Sequence, residues 1–255
     1  MKKIPNLFTL LNLLFGCLAI VFALQTESIN ITQGDEFTTF SVPERLYYAA
    51  ICIAIAAFID FVDGFLARLL NAAGDMGKQL DSLSDVVSFG VAPAVILFQF
   101  LRLSYMRQEN GIDINIAWLL PAFLFACAGA YRLARFNIDT TQTYGFKGVP
   151  IPAAGLVVAS LPLIVFYNYY DGAINAIIFN KWFLYTLIIV LSYLMISKLP
   201  IMGLKFKDYS IQNNIPKIIL LIVAIIAAVL FKWMAVPVIF IAYIILSLAL
   251  KNKTT

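Results

Sequence analysis

Apolar and polar positions along this chain fall into long blocks, with little of the short alternation that marks strands. Eight predominantly apolar runs stand at roughly 6–24, 46–71, 80–103, 115–136, 150–169, 181–199, 216–232 and 234–250. Each has about the length that a helix needs to cross ~30 Å of hydrocarbon, where backbone groups can be satisfied only within the segment itself. The pattern predicts an all-α polytopic membrane protein of about eight transmembrane helices. The last two runs are separated only by Lys232 and Trp233, so they read as a tight hairpin or as one broken element, and seven spans is the alternative.

Composition agrees. Of 255 residues, 62% are hydrophobic and 13% charged, against about 25% charged in soluble domains. An ordinary soluble enzyme is excluded, and no polar segment is long enough for a separate soluble domain. Residues 1–255 are therefore expected to form a single membrane-embedded domain, with any chemistry carried by the bundle.

Charge gives the orientation. If the N-terminus is cytoplasmic, that side holds Lys2, Lys3, Arg68, Lys78, Arg132, Arg135, Lys147, Lys198, Lys205, Lys207, Lys217, Lys251 and Lys253. The far side keeps only Arg45, Arg102, Arg107, Lys181 and Lys232. The loop from Gln25 to Glu44 carries four acids and no base. The positive-inside rule therefore predicts N-in, C-in. Met1-Lys2-Lys3 reads as a cytoplasmic flank of the first span, since no small-x-small cleavage site follows it.

Acids are scarce in the spans, yet the second and third hold Asp60, Asp63, Asp81 and Asp85, four of the fourteen in the chain. A charge at a helix centre costs about 2.5–3.5 kcal/mol even on mild insertion scales, so these must face protein, water or cations. Asp60, Asp63, Gly64, Ala67 and Arg68 follow i, i+3, i+4, i+7 and i+8 on one helix face, and Gly77, Asp81 and Asp85 follow i, i+4 and i+8 on the next. A short connection brings the two faces together at their cytoplasmic ends, forming a four-carboxylate pocket.

Histidine is absent, and Cys17, Cys52 and Cys127 stand singly in apolar runs, as packing residues do. That leaves hard oxygen ligands, which suit Mg²⁺ or Mn²⁺, and four carboxylates can hold two such ions. Arg68 and the open coordination positions would receive an anionic phosphate ester, with Gly64 and Ala67 letting it approach the helix. Two metals on a phosphate is the chemistry of in-line displacement at phosphorus. A cation conduit lined by the same aspartates is the alternative from another class. Nothing points to a nucleic-acid partner.

The string Asp60-x-x-Asp63-Gly64-x-x-Ala67-Arg68, eight residues, Gly77-x-x-x-Asp81-x-x-x-Asp85 resembles the signature of the CDP-alcohol phosphatidyltransferase family at every fixed position. Four further segments resemble that family's bacterial and archaeal phosphatidylserine synthase branch: Ile4 to Thr9, Leu80 to Ala94, Tyr131 to Asn137 and Phe146 to Ala154. The likeness covers about residues 1–170, leaving 171–255 as additional transmembrane helices.

The resemblance implies a six-helix core, a homodimer and a site at the cytoplasmic boundary of a prokaryotic plasma membrane. It further implies that CDP-diacylglycerol and L-serine react to give phosphatidylserine and CMP. In that scheme Asp60, Asp63 and Asp81 hold metal, and Asp85 acts as base, as a further ligand, or both. Gly64, Ala67, Arg68 and Gly77 bind the CDP-lipid. Asn6 and Thr9, at the start of the first span, meet its phosphates or cap the helix. Arg132 and Arg135, at i and i+3, hold the serine carboxylate or a lipid phosphate, or anchor the helix at the headgroups. A sister transferase that accepts glycerol phosphate or inositol phosphate shares every one of these features.

Overall fold

In the computed structural model, residues 4–25, 27–33, 36–42, 45–69, 74–107, 114–138, 145–168, 171–203 and 211–249 are described. Helices dominate: α1 (Ile4–Leu24), α2 (Leu46–Leu69), α3 (Asp75–Asp85), α4 (Ala92–Met106), α5 (Leu124–Ile138), α6 (Ile151–Tyr167), α7 (Gly172–Ile178), α8 (Lys181–Ile196), α9 (Ile211–Phe231) and α10 (Ala235–Ala249). All eight apolar runs are helical over most of their length.

The described residues are mostly helical, as the pattern predicts, and two short antiparallel strand pairs accompany the helices. Strands β1 (Glu27–Gln33) and β2 (Glu36–Val42) pair within the acidic loop, with Glu27 opposite Val42. Strands β3 (Gly145–Lys147) and β4 (Pro200–Met202) pair beside the end of α5. These segments lie outside the apolar runs, so the helical pattern never covered them. The short helix α7 was likewise not expected. Asp171 starts it by accepting from the Ala173 and Ile174 amides.

Among the described residues, five helical stretches are long and apolar enough to cross a membrane: Pro5–Leu24, Leu46–Leu66, Asp75–Met106, Ile116–Ile138 and Asn214–Ala249. A sixth arises if the bent α7–α8 pair counts as one, and Ile151–Tyr167 is apolar but shorter. The outward faces carry large apolar side chains, with Phe58 68%, Phe61 70% and Val229 76% exposed. Such a surface is stable in lipid and not in water, so the protein is an integral membrane protein. Cys17 and Cys127 lie on that outer surface, Cys52 is buried, and all three are free.

Asp75–Met106 is the central element. It runs through α3, a π-helical turn at Val86–Val91 and α4. Pro93 explains the turn: it has no N–H to give the Phe89 carbonyl, and the wider i→i−5 pattern, with Ala92 N–H bonded to Val87 O, accommodates the ring. Helices α1 and α6 press against this turn through glycines. A Cβ at Gly16 would lie 2.8 Å from Ser88 Cα, and one at Gly155 would lie 2.9 Å from Phe89 O. Phe89, Ile96, Leu97 and Phe100 fill the interior beneath. At about 1.5 Å per residue, this 32-residue stretch is about 48 Å long and exceeds the hydrocarbon core. Its polar first turns therefore reach the membrane boundary.

Helices α9 and α10 pack against each other across the turn at Lys232–Met234, where Lys232 has φ +50°. Trp233 at the turn meets Tyr167 at the end of α6, with ring centroids 5.9 Å apart. At the other end of α10, Ser247 Oγ accepts from the Met202 N–H at 3.2 Å.

Candidate active site

The i, i+3, i+4 spacing on α2 and the i, i+4, i+8 spacing on α3 put the four aspartates on facing sides of two helices. One carboxylate oxygen from each of Asp60, Asp63 and Asp81 lies within 4.8 Å of the others. Asp85, one turn deeper and 7% exposed, interacts electrostatically with all three. Asp60 and Asp63 share α2 with outward-facing Phe58 and Phe61, so one helix shows lipid an apolar face and its neighbours an acidic one.

The donor set fits a hard divalent cation. In an octahedral Mg²⁺ site with bonds of about 2.0–2.1 Å, trans oxygens lie about 4.2 Å apart, so oxygens spread over 4.8 Å need only a small closure. Three oxygens with a fourth carboxylate behind them also suit two ions sharing ligands. Close like charges in a partly buried site are unstable alone, and a cation relieves them.

Helix α1 forms the third wall. Thr9 Oγ1 donates to Asp63 Oδ2 at 2.6 Å, and Asn12 Nδ2 lies 3.5 Å from Asp85 Oδ1. In return, Ser84 Oγ donates to the Thr9 carbonyl at 2.7 Å and Ser88 Oγ to the Asn12 carbonyl at 3.0 Å. Asn6 and Thr9 stand within α1. Asn6 faces Gly77, where a Cβ would lie 3.4 Å from Asn6 Oδ1. At Gly64 a Cβ would meet no atom within 4 Å, which leaves space for a ligand against α2. The side chains of Ala67 and Arg68 fall outside the described residues, as do Lys205 and Lys207.

Arg132 and Arg135, paired in sequence, have different surroundings. Arg132 is 5% exposed and near enough to Asp85 for their charges to interact, with its guanidinium carbon 5.5 Å from the Phe136 ring centre. Arg135 donates to three backbone carbonyls: Ile196 at 2.6 Å, Lys147 at 2.9 Å and Ser197 at 3.0 Å. It ties α5 to the end of α8 and to β3.

Sequence reasoning missed two groups. Asn12 has 0% exposure in an apolar helix, and its spacing of three from Thr9 was the available signal. Tyr243 of α10, in the last third of the chain read as additional transmembrane helices, comes close to Arg132 while donating to Met202 O at 2.7 Å. No local pattern could have announced that contact.

The sequence profile of the CDP-alcohol phosphatidyltransferase family matches residues 2–199, which takes in every residue of the carboxylate site and extends through α8. The chain belongs to this family. It is similar to proteins named CDP-diacylglycerol–serine O-phosphatidyltransferase. That of Bacillus subtilis is 32% identical over 213 residues, covering 84% of this chain and 96% of the relative. That of Helicobacter pylori is 32% identical over 198 residues, covering 76% and 70%. That of Mycobacterium tuberculosis is 31% identical over 252 residues, covering 95% and 76%.

Proposed function

We propose that this enzyme transfers the phosphatidyl group of CDP-diacylglycerol to the hydroxyl of L-serine, giving phosphatidylserine and CMP. The observation that carries the reading is the convergence of Asp60, Asp63 and Asp81, with Asp85 behind them, in a chain whose relatives bear the serine transferase name.

In this mechanism Asp60, Asp63 and Asp81 would hold two divalent ions, Mg²⁺ or Mn²⁺, with Asp85 as base, further ligand or both. When bound, the ions neutralise the pyrophosphate and the charge developing on the leaving group. Gly64 and Gly77 let the nucleotide lie close to the backbone, Asn6 sits beside Gly77 at the same edge, and Arg68 takes a phosphate. The serine hydroxyl attacks the phosphorus that carries diacylglycerol. Its proton passes to Asp85 as the new O–P bond forms, and the bond to the CMP oxygen breaks. Arg132, buried beside Asp85, is the arginine suited to the serine carboxylate or the lipid phosphate. The three carbonyl bonds of Arg135 support neither a ligand nor a headgroup role but a third one, holding α5 to β3 and the end of α8.

The proposal includes a single membrane domain over residues 1–255, about eight crossings with N-in, C-in topology, a homodimer, and a site facing the cytoplasm of a prokaryotic plasma membrane. The sorting of thirteen of eighteen bases to one side supports the orientation.

The test is CMP release from purified protein given CDP-diacylglycerol and Mg²⁺, with acceptors offered one at a time. Release is expected with serine and should vanish with a chelator. Release with glycerol phosphate or inositol phosphate but not serine would replace the acceptor, and divalent-ion flux into sealed vesicles without any CDP-lipid reaction would replace the transferase.

A further inference from the structure

Among the helices around the carboxylates, α1 brings none of its own, and it carries little polarity in its membrane portion. Two of its polar side chains nevertheless contact the acids. Thr9 is 4% exposed and bonds Asp63 of α2, while Asn12 is 0% exposed and bonds Asp85 of α3. One helix thus reaches both carboxylate-bearing helices from a third side. We propose that α1 is the positioning element of the site, with Thr9 orienting Asp63 and Asn12 orienting Asp85 for metal binding and proton transfer.

The arrangement of Asn12 carries this furthest. Its Oδ1 is buried and has no hydrogen-bond partner, and a buried carbonyl left unpaired weakens a fold. Leucine, of similar size and common along α1, would serve packing better. The amide is therefore poorly explained by stability and well explained by its other end, which meets the most deeply placed of the four acids. A stability cost accepted at one residue is what a functional position leaves in a structure. The backbone adds a second tie: the Asn12 carbonyl accepts from Ser88 Oγ at the π-helical turn, and the Thr9 carbonyl accepts from Ser84 Oγ. The register of α1 against α3 is thus fixed at the two residues whose side chains contact acids. Hydrogen bonds from outside the ligand set that orient metal-binding carboxylates typically matter tenfold to a hundredfold in affinity or activity.

This inference rests on the metal reading of the site, and the test separates the two. Purified full-length protein is titrated with Mn²⁺ alone, free ion is read by electron paramagnetic resonance, and the thermal midpoint and CMP release are measured on the same samples. Thr9→Val is expected to weaken Mn²⁺ binding about tenfold, with Thr9→Ser restoring it. Asn12→Leu is expected to lower turnover about tenfold to a hundredfold while keeping or raising the thermal midpoint; Asn12→Ala provides the same reading if leucine prevents folding. Gln99→Leu, which cuts the bond from Gln99 Nε2 to the Ala23 carbonyl at the far end of α1, should leave Mn²⁺ binding unchanged. If wild type binds no Mn²⁺, the metal reading itself falls. If wild type, Thr9→Val and Asn12→Leu bind and turn over alike, or if Gln99→Leu loses as much as they do, α1 acts only by packing and the inference is overturned.

Discussion

The two ends of the helical bundle are both polar, yet they handle polarity in opposite ways. At the end away from the aspartates, bases and hydroxyls meet aromatic rings and carbonyls. Arg107 lies 3.8 Å from the Phe179 ring centre, Lys181 lies 5.1 Å from that of Tyr105, and Tyr185 bonds both Tyr105 and the Trp118 carbonyl. Tyr47, Phe166, Tyr167 and Trp233 continue the aromatic cluster there, as rings do where a helix leaves the membrane. At the aspartate end, four carboxylates crowd together and Arg132 is the base whose charge acts on Asp85. Both ends hold partly buried charge. Among the described residues, only the aspartate end gathers four like charges, and that concentration marks the place for chemistry.

The comparison breaks most sharply at Asp85. Asp85→Asn keeps the shape of the site and removes a proton acceptor, so CMP release should fall about 10²- to 10⁴-fold, with most Mn²⁺ binding retained on Asp60, Asp63 and Asp81. Single-turnover assays beside metal titration check this. Near-normal turnover would end the assignment of Asp85 as base.

A smaller effect separates the two arginines. Arg132→Ala removes a charge-assisted contact, worth about 1.5–3 kcal/mol when the partner is charged, and should raise the serine KM about tenfold to a hundredfold. Arg135→Ala should instead lower stability by about 1–2 kcal/mol, discounted for the partial exposure of the side chain, with KM unchanged in the protein that remains folded. Kinetics and thermal melts on both variants decide the matter. A crossed result, with Arg135 governing KM, would reverse their roles.

These arginines also show how far the sequence could be read. Spacing of i, i+3 puts both on one side of α5 and says nothing more, because a long guanidinium side chain takes its partners from whichever element packs alongside. The Arg135 partners come from residues 147, 196 and 197, supplied by β3 and the end of α8. The aspartates were legible for the opposite reason: their position depends on two helices with a short connection, and helical periodicity supplies nearly all of it. Asn12 lay between these cases. An asparagine inside an apolar run is conspicuous, but its partner is 73 residues away and visible only once α1 packs on α3. The π-helical turn needed both Pro93 and the crowding of α1 and α6, and strands β1 to β4 lay in segments where no apolar period speaks.

The smallest effect should come from the opposite end. The Tyr185 hydroxyl donates to the Trp118 carbonyl at 2.6 Å and lies 2.9 Å from the Tyr105 hydroxyl. It joins α8 to the turn before α5 and to the end of α4, the end of the Asp75–Met106 stretch away from Asp85. Tyr185→Phe leaves the ring packing against Trp182 and deletes only the hydroxyl. Tyr105 keeps its own hydroxyl, and the Trp118 carbonyl stands at an exposed position where other donors can reach it. The loss should therefore be about 0.5–1.5 kcal/mol, read as a modest drop in thermal midpoint with kcat and KM for CMP release unchanged. A kinetic effect as large as that of Arg132→Ala would mean that the two ends are coupled through α4, and that the aromatic end does more than hold the protein at its depth in the membrane.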